Sequence, residues 1–279
     1  MNSFLTFVEN LSLGQRIAWV AVCLGFSWLA EGLWPLLPTL KRTWRHAGVN
    51  TTFLLTTLAV NSGFALAAVG IAAATQRAGL GLFNLVELAP WLELLLALLA
   101  LDFAAQYLAH VLLHRVGWLW RFHEVHHTDT AVDATTGARL HPGDFAAREG
   151  VALIVLGVMG MPLAYYLVYR LVTIFFTFFT HANLALPERL DRALSWIIVT
   201  PGFHKFHHHA ELPWTDTNFG GILSIWDRWF NTLVYADPRE IRYGLDGSDP
   251  GTADRLGYQM SLPFKNRSAR EATDAGNHR

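Results

Sequence analysis

Three stretches of this chain, residues 17–37, 49–74 and 91–113, are rich in Leu and Ala and nearly free of charge. They are too long and too uniformly apolar for the helices of a soluble core. Each is close to the roughly 20 residues that an α-helix needs to cross the hydrocarbon layer of a bilayer. The composition agrees: 52% of the 279 residues are hydrophobic and 15% charged, against about 25% charged in a soluble domain, and the mean hydropathy is positive. The expected fold is an all-α integral membrane helical bundle with three long spans. A fourth apolar stretch, residues 151–180, is interrupted by Gly157, Gly160 and Pro162 and carries Arg170. Proline starts a helix more readily than it continues one, so this stretch is expected to form a short helical hairpin, with Arg170 turned toward protein or water and away from lipid.

No Lys/Arg-rich segment precedes the first apolar stretch and no Ala-x-Ala cleavage site accompanies it, which marks residues 17–37 as a retained span and not a signal peptide. Cys23 is the single cysteine, so a disulfide framework and a thiolate metal site are both excluded. Lys41, Arg42 and Arg45 follow the first span, and Arg115, Arg121, Arg139 and Arg148 the third, whereas Arg77 alone follows the second. Basic residues concentrate in cytoplasmic loops. The segments after the first and third spans are therefore expected on the cytoplasmic side, and the N-terminus on the opposite side. From Gly117 to Gly150, and again from Leu186 to about Tyr243, the sequence is mixed polar and aromatic. Trp and Tyr favour the headgroup level, so both regions are expected to form one cytosol-facing helical cap against the membrane.

That cap is where the histidines gather. Nine of the thirteen fall into tight groups: His110 and His114, then His123, His126 and His127, then His181, then His204, His207 and His208. Histidines three or four apart lie on one face of a helix, so each group can aim two or three imidazoles at one place. Neutral imidazole is a good ligand for iron, copper, zinc and nickel. A metal in protein takes about four to six donors and a catalytic one keeps a position open, so nine ligands point to two metals. An ordinary fold has no use for adjacent imidazoles, which are poor helix formers and costly to bury unpaired. The sequence contains no Gly-x-Gly-x-x-Gly, Walker loop or Cys-x-x-Cys-His, and so no flavin, nucleotide or c-type haem site of its own.

The arrangement resembles the fatty acid hydroxylase and sterol desaturase superfamily of integral membrane di-metal oxygenases, over roughly residues 95–235. Trp-Arg-Phe-His-Glu-Val-His-His, ending at His127, and Pro-Gly-Phe-His-Lys-Phe-His-His, ending at His208, carry the likeness. Arg139-Leu-His141-Pro142, His181-Ala-Asn183, Thr200-Pro201, Asp216-Thr-Asn218-Phe-Gly220 and Trp226-Asp227-Arg228 stand in the matching order. The resemblance implies that His110, His114, His123, His126, His127, His181, His204, His207 and His208 are the metal ligands. It divides the chain into an N-terminal transmembrane region (1–94), a catalytic domain (95–243) and a polar, mobile tail (244–279). Thr177 stands where some members carry a further His, which leaves the second metal one ligand fewer or a water in its place. Gly143 and Asp144 replace an expected bulky apolar residue and Glu. His141, ahead of Pro142, is expected extended and either structural or behind the ligands. His209 lies outside the pattern.

Around the ligands, Asp102 lies two turns before His110 and is placed either against its free ring nitrogen or in a buried bond to Thr, Trp or backbone. Asn183, Asp216, Asn218, Asp227 and Arg228 either orient imidazoles or close the cap by pairing with one another. Two iron ions, with zinc as a possible substitute, suit an all-nitrogen set. The implied activity is hydroxylation or desaturation of a lipid from the bilayer with O2. An external ferredoxin, cytochrome or reductase would supply electrons, and Arg115, Arg121, Lys205 and Arg228 could attract it. Glu124 and Asp129 are candidates for proton delivery. The rival readings are a membrane metal transporter or metal-binding protein without redox chemistry, a bis-His haem carrier, and a family member that cleaves ether lipids or isomerises.

Overall fold

The computed structural model describes residues 1–38 and 43–265. Helix α1 (Asn2–Glu9) precedes α2 (Leu13–Leu33), whose start is fixed by a capping box in which Ser12 accepts from the Gln15 N–H and Gln15 accepts from the Ser12 N–H. Helix α3 (Trp44–Ala78) starts on Thr43 and stops at Gly79, which takes the left-handed conformation that ends many helices. Helix α4 (Pro90–Arg115) opens on proline and winds as a π-helix from Asp102 to Leu108 before its last two turns. Next come α5 (Gly117–His127), α6 (Pro142–Met159), α7 (Leu163–His181), α8 (Glu188–Leu194), α9 (Pro201–His207), α10 (Ile225–Trp229) and α11 (Leu256–Ser261). No sheet forms among the described residues, which carry only two isolated bridges.

Helices α2, α3, α4 and α7 are long and apolar enough to cross a membrane. The outward faces of α2 and α3 leave Ile17, Val22, Phe26, Leu55 and Leu66 uncovered by protein, as lipid-facing surfaces do. Inside, Ala68 and Ala72 of α3, Ala97 and Ala105 of α4, and Ala152 of α6 meet Tyr165, Tyr166 and Tyr169 of α7. Small residues at these crossings let the backbones approach closely.

Three features differ from the expectations. The helix of the hairpin's first arm begins at Pro142 and not near 151, so Asp144, Arg148 and Glu149 belong to α6. They read as cap residues because they are charged, but Asp144 and Glu149 point inward, to partners that a linear sequence does not reveal. The second arm, α7, is itself of spanning length. The hairpin turn needs Gly160: its φ is 60°, and a Cβ there would lie 2.3 Å from the Leu80 carbonyl oxygen.

The third difference concerns residues 244–265, part of the segment expected to be mobile. This stretch returns to the cap, where Gln259 is buried, donates to the Thr252 carbonyl and accepts from Thr128 Oγ1. Arg139, also fully buried, donates to the Ala253 carbonyl. Polar composition suggested solvent, but these polar groups are satisfied by buried polar partners. Residues 266–279, including His278, and the basic pair Lys41 and Arg42 lie outside the described residues.

Candidate metal centre

Four elements deliver the nine histidines. The last two turns of α4 carry His110 and His114, α5 carries His123, His126 and His127, α7 ends on His181, and α9 with the residue after it supplies His204, His207 and His208. All nine are buried. They fall into two sets, His110, His114, His123, His127 and His207 in one and His126, His181, His204 and His208 in the other, with the nitrogens of each set within 4.8 Å of one another. Each His-His doublet is divided between the sets. Neighbours on a helix point about 100° apart, as 3.6 residues per turn requires, so one doublet reaches both sets and the pair of doublets holds them side by side. Rings of opposite sets touch, as His127 and His208 do with centroids 4.8 Å apart.

Four of the ring nitrogens that face away from the sets are engaged by backbone carbonyls. His110 Nδ1 meets the Phe219 carbonyl at 2.8 Å, His207 Nδ1 the Thr217 carbonyl at 2.7 Å, His181 Nδ1 the Thr177 carbonyl at 2.7 Å and His126 Nδ1 the Arg139 carbonyl at 3.3 Å. A carbonyl accepts only, so each of these Nδ1 atoms carries the proton and donates, and the Nε2 lone pair is left for the centre. Those Nε2 atoms converge: His110 and His123 at 3.0 Å, His123 and His127 at 3.2 Å, His126 and His181 at 3.0 Å, His181 and His204 at 2.9 Å. Lone pairs so placed repel unless a cation lies between them. Metal–nitrogen bonds of about 2.1 Å put neighbouring ligand atoms roughly 3 Å apart, and this is the spacing found. His207 Nε2 and both nitrogens of His208 are buried without a hydrogen-bond partner among the described residues. The side chains therefore fit two nitrogen-ligated metal ions.

Burial, reinforced by the neighbouring imidazoles, holds His123, His126, His127, His204 and His208 well below the ordinary histidine range, and burial pushes His207 down to about 4. They are thus neutral and able to ligate at physiological pH.

The polar residues around the centre separate into two kinds. Asp216 meets His114 Nδ1 at 3.1 Å. Asp144, which in sequence stands out only as a departure from the family pattern, accepts from His123 Nδ1 at 2.6 Å and from Arg148 Nε at 2.9 Å; its place 21 residues beyond His123 hid this role. Thr177 contributes its carbonyl in place of a ring, and the set it borders has four histidines where the other has five.

Asp102 does not contact His110: at the first residue of the π-helical stretch, it accepts from Trp226 Nε1 at 2.7 Å and from the Leu223 N–H at 3.2 Å, the Trp and backbone partners that were the alternative expectation. Asn183 bonds both backbone groups of Leu37 and so joins α7 to the end of the first span. Asn218, at φ 55°, ties Phe203 to Val234. Asp227 accepts from the N–H groups of Phe219 and Gly220, fixing the loop whose carbonyl receives His110. His141 caps α6 by accepting from the Gly143 N–H, and His209 accepts from the Glu211 N–H; both lie outside the two sets.

Asp129 is engaged by Thr136, Asn50 and His46. Lys205 is fully buried and donates to the carbonyls of Val132 and His181, so it cannot greet a soluble partner. Arg228 stacks on Trp196, and Arg121 donates to the Lys265 carbonyl, whereas Arg115 is half exposed.

A cavity of about 400 Å³ opens onto both sets. His110, His126, His181 and His204 form its inner end, and α2, α3 and α7 supply walls of Val20, Leu54, Leu58 and Ile174. It is predominantly apolar, as a lipid chain requires.

Fold and centre together define a class: a helical membrane protein with two adjoining sets of buried imidazoles at the end of an apolar cavity. Residues 94–232 match the fatty acid hydroxylase family, and the chain belongs to that superfamily. It is 30% identical over 180 residues to the ornithine lipid hydroxylase OlsE of Rhizobium tropici, covering 64% of this chain and 52% of the relative. It is 29% identical over 171 residues to the alkylglycerol monooxygenase of Homo sapiens, covering 59% and 35%, and 29% identical over 130 residues to that of Caenorhabditis elegans, covering 46% and 24%. The chain thus spans about half the length of the first relative and about a third or less of the others. No solved structure gives a significant match.

Proposed function

We propose that the chain is a di-iron oxygenase that hydroxylates a membrane lipid, using O2 and electrons from a separate donor. The observation that carries this reading is the opening of two neutral imidazole sets onto an apolar cavity walled by membrane-length helices. Bound iron would supply the oxidising power that no side chain has, and an all-nitrogen set without thiolate suits it. The nine histidines hold the metals, while Asp144, Asp216 and the carbonyls of Phe219, Thr217, Thr177 and Arg139 fix ring orientation. The cavity excludes water and lays one segment of a lipid chain against the inner end. Relatives named for an ornithine lipid and for alkylglycerols support an amphiphilic substrate. Asn183, Asn218, Asp102 and Asp227 shape the cap that carries the ligands.

The test is a comparison of lipid extracts with and without the gene by mass spectrometry, alongside metal analysis of purified protein. A lipid gaining sixteen mass units and close to two metal ions per chain are expected. Extracts that do not differ, from cells in which the protein is inserted and metallated, would overturn the reading.

A further inference from the structure

Arg170 lies in the middle of α7, a helix of membrane-spanning length, and its side chain lines the cavity. An ionisable group at that depth needs a partner, and a functional reason, to be tolerated. The partner is Glu149 of α6, whose Oε2 accepts from Arg170 Nη1 at 2.5 Å and whose Oε1 accepts from the Tyr166 hydroxyl. Each oxygen of Glu149 thereby has a donor, whereas the guanidinium has five donors, of which one is given to Glu149 and one makes a long 3.5 Å contact with Asn61 Oδ1. The Arg170 side chain retains 23% of its accessible surface, so donors remain presented to the cavity. Its charge is cancelled on the spot by Glu149, and the next cation along the wall, Arg148, is cancelled by Asp144. Arg16, which also lines the cavity, turns its head to the carbonyls of Glu9 and Leu11. The wall at Arg170 therefore offers hydrogen-bond donors without net charge.

We propose that Arg170, held in place by Glu149, receives an uncharged oxygen-bearing group of the lipid, an ester, amide or hydroxyl, whose chain then runs along α7 to the histidines. This deepens the lipid-oxygenase reading and rests on it for the nature of the cavity's occupant. Eleven residues of helix separate Arg170 from His181, about 16 Å at 1.5 Å per residue, so the anchor would also fix how far from the polar group the chain is oxidised.

The test is binding without turnover, on the full chain loaded with zinc, which has no redox chemistry. Methyl hexadecanoate, hexadecane and the hexadecanoate anion are the probes, with dissociation constants read by native mass spectrometry. The parent protein should favour the ester over the alkane by about tenfold, the worth of a hydrogen bond to a charged donor, and should favour it over the anion. Replacing both charges together in E149Q/R170M leaves no unpaired ion and should bring the ester-to-alkane ratio close to one, with zinc content and melting temperature unchanged. Should that protein fail to fold, R170K keeps the ion pair but loses the fork, and the preference should fall at least threefold. An ester preference that survives these changes, or a parent that binds the alkane equally or the anion better, would overturn the proposal. Failure of the oxygenase reading would show separately, as absence of oxygenated lipid in cells.

Discussion

His126 and His127 are adjacent in sequence yet serve different sets, as do His208 and His207. Changing His126 or His208 to Ala should therefore deplete the four-histidine set first, and changing His127 or His207 the five-histidine set. Each variant is expected to lose about one metal of two, and with it almost all lipid oxidation, because a depleted neighbour leaves the shared centre incomplete. His209→Ala should keep both metals and full turnover. Elemental analysis beside product formation checks this, and a His209→Ala protein as damaged as His208→Ala would refute the assignment. Asp144→Asn is a finer probe: it removes the carboxylate that accepts from His123, and such partners are worth roughly 10–100-fold in metal affinity. A competitive chelator titration showing the same affinity as the parent would dismiss that role. The spacing showed that His123, His126 and His127, and His204, His207 and His208, could each share a helix face, whereas the lone His181 entered the set only through the family resemblance. The role of Asp144 was not legible, because its partner is distant in sequence and its charge placed it among the cap residues.

Among the elements, the spans α2, α3 and α4 were legible because uniform apolarity over some 20 residues is what a bilayer-crossing helix requires and what a helix with one wet face avoids. The start of α6 was hidden by charges that are buried and paired, and the fold-back of residues 250–264 by a composition that also suits solvent. Gln259 shows what the latter contributes, since it bridges Thr252 and Thr128 while fully buried. Gln259→Ala strands the Thr252 carbonyl and should cost about 1–3 kcal/mol. A melting temperature equal to that of the parent in detergent would show that the segment adds nothing to the cap. Position 102 illustrates a different limit: counting two turns back from His110 aligns Asp102 with it only on a regular α-helix, and the Asp102–Leu108 π-helix breaks that register.

At the scale of the whole molecule, protons and metal compete for the same buried rings. His207 titrates near 4 when folded, below the ordinary value of 6.5, and its neighbours in the cap are lowered in the same direction. Between those values the unfolded chain holds protons that the folded chain refuses, so the stability associated with the neutral rings is full above about pH 6.5 and is lost as pH falls toward 4. Metal-free protein should melt at progressively lower temperature from pH 7 to pH 5, and metal-loaded protein should release its ions over the same interval. A melting temperature that is flat across that range would contradict the burial of uncharged rings.

The two ends of the bundle differ in the same way that the two sides of a membrane do. Glu31, near the end of α2, accepts from the N–H groups of Ala134 and Asn183, and His46, near the start of α3, lies 3.5 Å from Asp129. The end of α2 and the start of α3 therefore sit at the end that holds the histidines. Gln76, near the end of α3, donates to the Gly160 carbonyl, which places Arg77 beside the hairpin turn at the other end. Arg45, Arg115 and Arg121 thus accompany the metal centre, while Arg77 stands apart. Since short basic loops stay in the cytoplasm, reporter fusions after Arg45 and after Tyr243 should report the cytoplasm and one after Arg77 the opposite side. The proposed cytosolic electron donor could reach the centre only in that orientation, so a Tyr243 fusion reporting the far side would refute both the placement of the cap and a cytosolic donor.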